Sequence, residues 1–455
     1  MLIARSIIDY YRCPEHFLDF ELSGPLSADE GFFRFGPSIC YGRSCSGHRL
    51  SRVENGLYDV LGDASIQNSK ATLPLSPSEV IDNLRLERYV LRARTYQWGK
   101  NTYYALRPWL SPGIRIIVKK MQLRGWQRIP FPGWPVDRTV ENICEQLLLL
   151  SHQVHKSDRI PFIWFWPRGA RGCVMMTHDV ETLAGRDACA KLMDLDDSFD
   201  IKASFEIIPE ERYGITPDFL DTIRRRGCEV AIHDLKHDGR LFDRHDKFLW
   251  RASKINQYAK QYGANTFRSG LLYRRPEWFD AFQFSADMSI PNVAHLDPQR
   301  GGCCTVMPYF IGNMIELPLT TTQDYMLFYL LGERSIDLWK KQTSMILEKS
   351  GLVSFIVHPD YTMSGEKRSY YQDLLTYLQG LRSSTNLWFA LPREIDHWWR
   401  LRSKMSLVGD GDSWQICGEG SDQAVLAYAT NVAGKLTYSI PSQERADSMK
   451  HVAAG

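Results

Sequence analysis

From Cys173 onward the chain alternates between two textures, and that alternation restricts the fold more than any other feature. Short, nearly continuous apolar runs recur: CVMMTH (173–178), KASFEII (202–208), CEVAIH (228–233), ANTFRS (264–269), MIELPL (314–319) and LVSFIVH (352–358). Between them lie segments with helical signals. TPDFLDTIRRRG (216–227) has Thr216 placed to cap, Pro217 at the first position and Gly227 at the end. A second helix is expected over 247–263, stopped by Gly263, and a third over 335–351. Strands separated by helices are joined by crossovers and so lie parallel. Runs that are apolar without alternation belong to strands covered on both faces. The sequence therefore predicts a parallel β/α architecture from about residue 160 to 400.

The apolar runs end in reactive residues. The first ends in His178-Asp179-Val180-Glu181, the third in His233 with His237 beyond it, the fourth in Arg268-Ser269-Gly270, and the last in His358-Pro359-Asp360. In β/α barrels the active site is built at the C-terminal ends of the strands. Each residue alone has a plain structural reading. His178 could be a core-edge histidine bonded to backbone, Arg268 an ion-pair partner, and His358 a strand cap. Recurrence at four strand ends is what points to a site. EVAIHDLKHDGR (229–240) holds the H-x-x-x-H spacing of helical zinc proteases, but that pattern needs Glu directly after the first histidine. Asp234 stands there, and the approach is strand-like. Two histidines and one carboxylate, with positions left open for water, still make a catalytic zinc arrangement. Asp179 and Glu181 are the natural carboxylate donors.

The rest of the chain is less specific. With 455 residues it is long enough for two or three domains, and a net charge of +2 indicates no nucleic-acid partner. Residues 1–160 are read as an α-rich extension of unknown role, with a glycine- and serine-rich loop at 36–47 and a helix over 138–154. Residues 403–455 are read as a small β appendage with a disordered tail from about Gln443. The stretch 84–128 carries eleven Lys or Arg against the single acid Glu87, interleaved with aromatics. Its default reading is a solvated surface with partly buried rings; the sharper one is contact with an anionic membrane face or a lipid-linked glycan. Trp164 and Trp166, just before the first barrel strand, are expected to pack rather than stack on sugars. No signal peptide, no long apolar span and no zinc-ribbon spacing among the ten cysteines is seen. Reduced thiols and a cytoplasmic protein, peripheral at a membrane if 84–128 acts as above, are expected.

Taken in order, the strand ends resemble the polysaccharide deacetylase family, carbohydrate esterase family four. The match runs over about residues 160–400. The family's T-F-D-D corresponds to Thr177-His178-Asp179-Val180-Glu181, its H-[ST]-x-x-H to His233-Asp234-Leu235-Lys236-His237, and its bracing arginine to Arg268 in FRSG. FSADMSIPN, with Asp287, is a looser match to the fourth motif, and SFIVHPDY supplies the histidine of the fifth as His358. Val180 stands where the family keeps a ligand aspartate, and valine cannot coordinate. Some branches use D-x-[DE], which Asp179-Val180-Glu181 fits. Asp234 in place of Ser or Thr also marks a divergent branch.

The resemblance implies a distorted (β/α)7 barrel over 161–402 and a metal-dependent hydrolase that removes N-acetyl groups from an amino sugar in a polysaccharide or glycan precursor. It implies a divalent metal on His233, His237 and Glu181, or on Asp179 in its place; zinc comes first, with cobalt, nickel or manganese as alternatives. It further implies Asp179 as base, Arg268 bracing it, His358 as the acid toward the leaving amine, and Asp287 among the catalytic residues. Two other readings stay open: a catalytically degenerate carbohydrate-binding barrel, for which Val180 is the evidence, and a hydrolase of another non-peptide C–N bond.

Overall fold

The computed structural model describes residues 3–441 apart from 68–69, 91–117, 119, 122, 364 and 412. Most of the basic stretch 84–128, and the tail expected to be disordered, lie outside the described residues. The chain parts into two compact units. One comprises residues 1–89, 138–171 and 397–455; the other comprises 90–137 and 172–396. The division expected from sequence, at 160 and 402, ran along the chain and separated its two ends. The observed division groups them, because Arg159–Ile163 pairs antiparallel with Leu426–Val432 in a sheet completed by Lys435–Ser439.

The second unit is built on a curled parallel sheet. Its strands are β1 (Gly172–Val180), β2 (Ala203–Ile207), β3 (Glu229–His233), β4 (Thr266–Arg268), β5 (Ala286–Asp287), β6 (Met314–Glu316) and β7 (Leu352–Ile356). They neighbour one another in the order β6-β5-β4-β3-β2-β1-β7, all parallel. Tyr309–Ile311 adds an antiparallel edge beside β6, and Leu387–Phe389 pairs with the start of β1. Side chains bridge the remaining edge, from the end of β6 to β7. Thr320 N–H donates to Ser354 Oγ (2.9 Å), Ser354 Oγ–H donates to Pro318 O (2.6 Å), and Thr321 Oγ1–H donates to Ser354 O (2.7 Å). The result is a distorted (β/α) barrel.

The local signals read from sequence account for its helices. α1 (Leu183–Ser198) starts at Thr182, whose Oγ1 accepts from Gly185 N–H at 3.0 Å. α2 (Pro217–Arg225) starts at Thr216 with proline in its first turn. α3 (His245–Tyr262) ends at Gly263 in the left-handed conformation, φ 59°. α4 (Asp337–Leu347) precedes β7 and α5 (Lys367–Ser384) follows it. β1, β2, β3 and β7 are buried along their whole length, and their helix-facing side chains join one apolar core with the helices.

The first unit holds strands as well as helices. The stretch expected to be a loop at 36–47 contains a hairpin arm: Ser38–Gly42 pairs with Gly31–Phe35, and Gly36 turns with φ 60°. Helices Arg5–Tyr11, Pro77–Arg85 and Thr139–His155 belong here, as does the hairpin Ser406–Asp410/Ser413–Cys417. Arg402 is buried in this unit, and its guanidinium donates to the carbonyls of Tyr10, Ile163 and Trp164. Burial and the charge of Arg12 pull its pKa down to about 9. Trp164 and Trp166 are both buried; Trp164 Nε1–H donates to Ala170 O and Trp166 packs on Trp399. All ten cysteines are free thiols. Among the described residues no helix is long and apolar enough to cross a membrane.

Candidate active site

The period of a strand decides which residues of β1 meet the cluster. Side chains two apart share a face. Thr177, Asp179 and Glu181 therefore lie together, while His178 and Val180 lie opposite. His178 turns toward the helices, with Nδ1 3.0 Å from Val357 O and Nε2 3.0 Å from Asp196 Oδ2. Val180 is fully buried in the apolar core. Its failure to match a ligand aspartate is thus a matter of facing: the carboxylate after it, not the residue itself, points to the cluster.

Arg268, at the end of β4, braces Asp179. Its Nη1 donates to Asp179 Oδ1 (2.6 Å) and Thr177 Oγ1 (2.8 Å), and its Nε donates to Met288 O (3.1 Å). Glu206 on β2 stands 3.6 Å from the same guanidinium and opposite Asp179 in the strand register. Burial works against the charged Asp179, but Arg268, His233 and His358 outweigh it and hold its pKa below the usual carboxylate value. Burial pushes Glu206 the other way, to about 8; Arg268 offsets part of this and the charge of Asp179 adds to it.

The two histidines of 229–240 come together beside Glu181. Their ring centres lie 4.9 Å apart. The carbonyl of Arg268 lies 3.2 Å from His233 Nδ1, and a carbonyl can only accept, so that nitrogen carries the proton. In the neutral ring Nε2 then holds the lone pair that a metal-binding imidazole requires; burial favours that form, and the charges of Asp179 and Glu181 outweigh it and raise the pKa of His233. Nε2 faces Asp179 Oδ2 at 3.7 Å and Glu181 Oε1 at 3.8 Å. His237 Nε2 lies 3.0 Å from Glu181 Oε1. Both Nε2 atoms are buried and neither has an aligned hydrogen-bond partner. The turn that delivers His237 is tight: Asp234 and His237 both have left-handed backbones, φ 58° and 53°. Gly270 packs against it so closely that a Cβ there would lie 2.5 Å from Asp234 Oδ2 and 2.9 Å from His237 Cδ2.

His358 closes the cluster from β7, with Nε2 3.4 Å from Glu181 Oε1. Its partner is Asp324, which the sequence reading did not single out. Burial opposes charge on His358, but Asp324 and Glu181 outweigh it and hold its pKa well above the usual histidine value. Asp324 follows MIELPL as Asp179 follows CVMM, so the strand-end rule covers it; TTTQD simply lacks a recognisable pattern. The structure brings Asp179, Glu181, His233, His237, Arg268 and His358 together. Asp287, at the end of β5, accepts from Ser289 N–H (3.1 Å) and Oγ–H (2.6 Å). It adds to the charge, led by Asp179, that keeps Arg268 ionised against burial.

Glu181, His233 and His237 each offer one ligand atom within 4.8 Å of the others, as do Asp179, Glu181 and His358. Two imidazoles whose buried Nε2 atoms make no aligned hydrogen bond, with a carboxylate at their meeting point, fit a transition-metal ion.

No protein-family model matches the chain, and no curated protein matches it. Solved structures match part of it. A protein described as a polysaccharide deacetylase, from Mycobacterium smegmatis, is 15% identical with a TM-score of 0.44, covering 55% of this chain and 98% of its own. Puue allantoinase is 12% identical with a TM-score of 0.42, covering 52% of this chain and 92% of its own. A protein described as a polysaccharide deacetylase involved in O-antigen biosynthesis, from Bordetella bronchiseptica, is 18% identical with a TM-score of 0.31, covering 51% and 86%. Likeness at this level does not reach the chemistry, which rests on the side chains above.

Proposed function

We propose that the chain is a metal-dependent hydrolase that removes an N-acetyl group from an amino sugar of a polysaccharide or glycan precursor. The observation that supports this best is the meeting of two buried imidazole Nε2 atoms at Glu181, beside a base braced by arginine and an acid braced by aspartate.

His233, His237 and Glu181 would hold the ion. Asp179 is less suited as a ligand, because its Oδ1 is already taken by Arg268 at 2.6 Å. The chemistry such a divalent ion would supply there, zinc first and cobalt, nickel or manganese as alternatives, is polarisation of the amide carbonyl and acidification of water. Asp179 takes the proton of the attacking water at Oδ2, the oxygen that Arg268 leaves open. Arg268 keeps Asp179 ionised and oriented, so a carboxylate serves as base at neutral pH. His358 Nε2 gives its proton to the leaving amine nitrogen, and Asp324 holds the other ring nitrogen. Water is added across the C–N bond; acetate and a free amino sugar leave.

The test is metal content together with acetate release from N-acetylglucosamine oligomers, with a cyclic amide assayed in parallel. About one transition-metal ion per chain and acetate release are expected, both lost in His233→Ala and in His237→Ala. Full turnover in both variants, or turnover of the cyclic amide alone, would overturn the reading.

A further inference from the structure

Three tyrosines form a face beside His358 that the reaction above does not use. Tyr361, three residues after His358, has its ring centre 4.9 Å from the imidazole. Tyr325 and Tyr329 come from a π-helical segment, Tyr325–Leu331, that begins directly after Asp324. Their rings stack at 5.6 Å with 19° between planes, and each meets Tyr361, at 5.6 Å and 5.4 Å. The carboxylate that holds His358 also accepts the N–H of Tyr325, at 2.7 Å. The face is therefore tied to the proposed acid at both of its roots.

Tyr329 packs partly on the barrel core and Tyr325 on a smaller apolar cluster, and two features mark the group out beyond that packing. π-Helical turns are rare, usually single-turn, and concentrated at functional sites. Here one spans seven residues at the mouth of a strand-end cluster. Within it Met326, Leu327, Phe328 and Leu330 are buried, whereas Tyr325, Tyr329 and also Tyr361 stay half-exposed. The segment thus turns Met326, Leu327, Phe328 and Leu330 into the core and leaves Tyr325, Tyr329 and Leu331 partly exposed, with Lys367 Nζ 4.5 Å from the Tyr329 ring centre. A half-exposed tyrosine offers an apolar ring and a hydroxyl that can hydrogen-bond. A pyranose offers the complement, a C–H face edged by hydroxyls.

We propose that Tyr361, Tyr325 and Tyr329 form the subsite that holds the ring of the amino sugar on the leaving-group side of the cleft, and so decide which sugar is accepted. The assignment of side rests on the deacetylase reading. His358 protonates the departing amine, so the sugar carrying that amine lies on His358's side, where the tyrosine face begins.

The test uses a glucosamine oligomer, the expected product, as a binding probe beside the acetate-release assay. In the unmutated, metal-loaded protein, saturating tyrosine ring protons should transfer magnetisation to the C–H protons of the oligomer. Tyr325→Ala and Tyr329→Ala should each raise KM and weaken oligomer binding by about 3- to 10-fold, with kcat nearly unchanged. Tyr325→Phe and Tyr329→Phe should restore most of the loss. Absence of transfer to the oligomer, or folded alanine variants with unchanged KM and oligomer affinity, would overturn the proposal. Oligomer binding that depends on these tyrosines without any acetate release would keep the subsite and sink the deacetylase reading instead.

Discussion

Asp324 holds His358 at two points: Oδ1 accepts the ring Nδ1–H at 2.6 Å and Oδ2 accepts the backbone N–H at 2.8 Å. The ring is thereby oriented with Nε2 toward the cleft, and its pKa is held well above the usual value against the pull of burial. A histidine whose folded pKa is raised stays protonated to higher pH, as an acid must. Asp324→Asn keeps the shape and removes the charge. It should lower kcat by about 100-fold or more and move the alkaline limb of the kcat profile down toward about 6.5. The linked stability has a definite sign. It is fully present below the unfolded value and is lost as pH rises through the folded one, so the melting deficit of the variant should shrink at alkaline pH. An alkaline limb that does not move would show that His358 is not the acid.

Much of this site was legible because it depends on strand ends and strand period. Asp179 and Glu181, two apart, had to share a face once 173–178 was recognised as a strand. His178 and Val180 then had to face the other way, which removes the apparent defect at Val180. Asp324 was not legible in the same way. Its partner His358 is 34 residues away, and only the packing of the post-β6 loop onto β7 joins them. Asp287 was drawn from a looser motif; its carboxylate accepts from Ser289, pairs with Glu316 and lends charge to Arg268. The grouping of the two chain ends escaped for a similar reason, since Leu426 meets Ile163 through a ladder that no local pattern announces.

Asp179 in β1 and Glu181 just after it have different neighbours. Glu181 Oε1 lies within 4 Å of the Nε2 atoms of His233, His237 and His358. Asp179 is committed to Arg268. Glu181→Gln should therefore lose bound metal on dialysis and lose turnover with it. Asp179→Asn should keep its metal and still lose about 100- to 10,000-fold in kcat. Metal analysis beside kinetics reads this directly; metal loss from Asp179→Asn with retention in Glu181→Gln would exchange the two roles.

Gly270 acts on the cluster through space alone. A methyl group at this position would press on His237 Cδ2 and on the carboxylate of Asp234. At 2.5 Å and 2.9 Å the Asp234 carboxylate and the His237 ring must give way to it. Gly270→Ala should weaken metal affinity by about 10- to 100-fold, as loss of outer support for a ligand does. It should also lower stability by about 1–3 kcal/mol from overpacking. Competition with a chelator gives the first and thermal unfolding the second; unchanged affinity would mean that the position of His237 does not matter to the metal.

Glu206 gives a stability signature that builds from acidic pH to about 8. Its carboxylate is buried, without an aligned hydrogen-bond partner, and burial pushes its pKa to about 8. Between the ordinary glutamate value, about 4.3, and that point, the folded chain holds a proton that the unfolded chain has released. Stability must then fall as pH rises through the window, by up to about 1.4 kcal/mol per pH unit. The neutral carboxyl also leaves the charge of Arg268 to Asp179 at pH 7. Glu206→Gln is nearly isosteric and has no proton to lose. Denaturant unfolding from pH 5 to 9 should show the two proteins close at pH 5 and the variant more stable by at least about 1.4 kcal/mol at pH 8. Parallel curves would mean that Glu206 does not titrate in this range, and that Arg268 is shared between two ionised carboxylates.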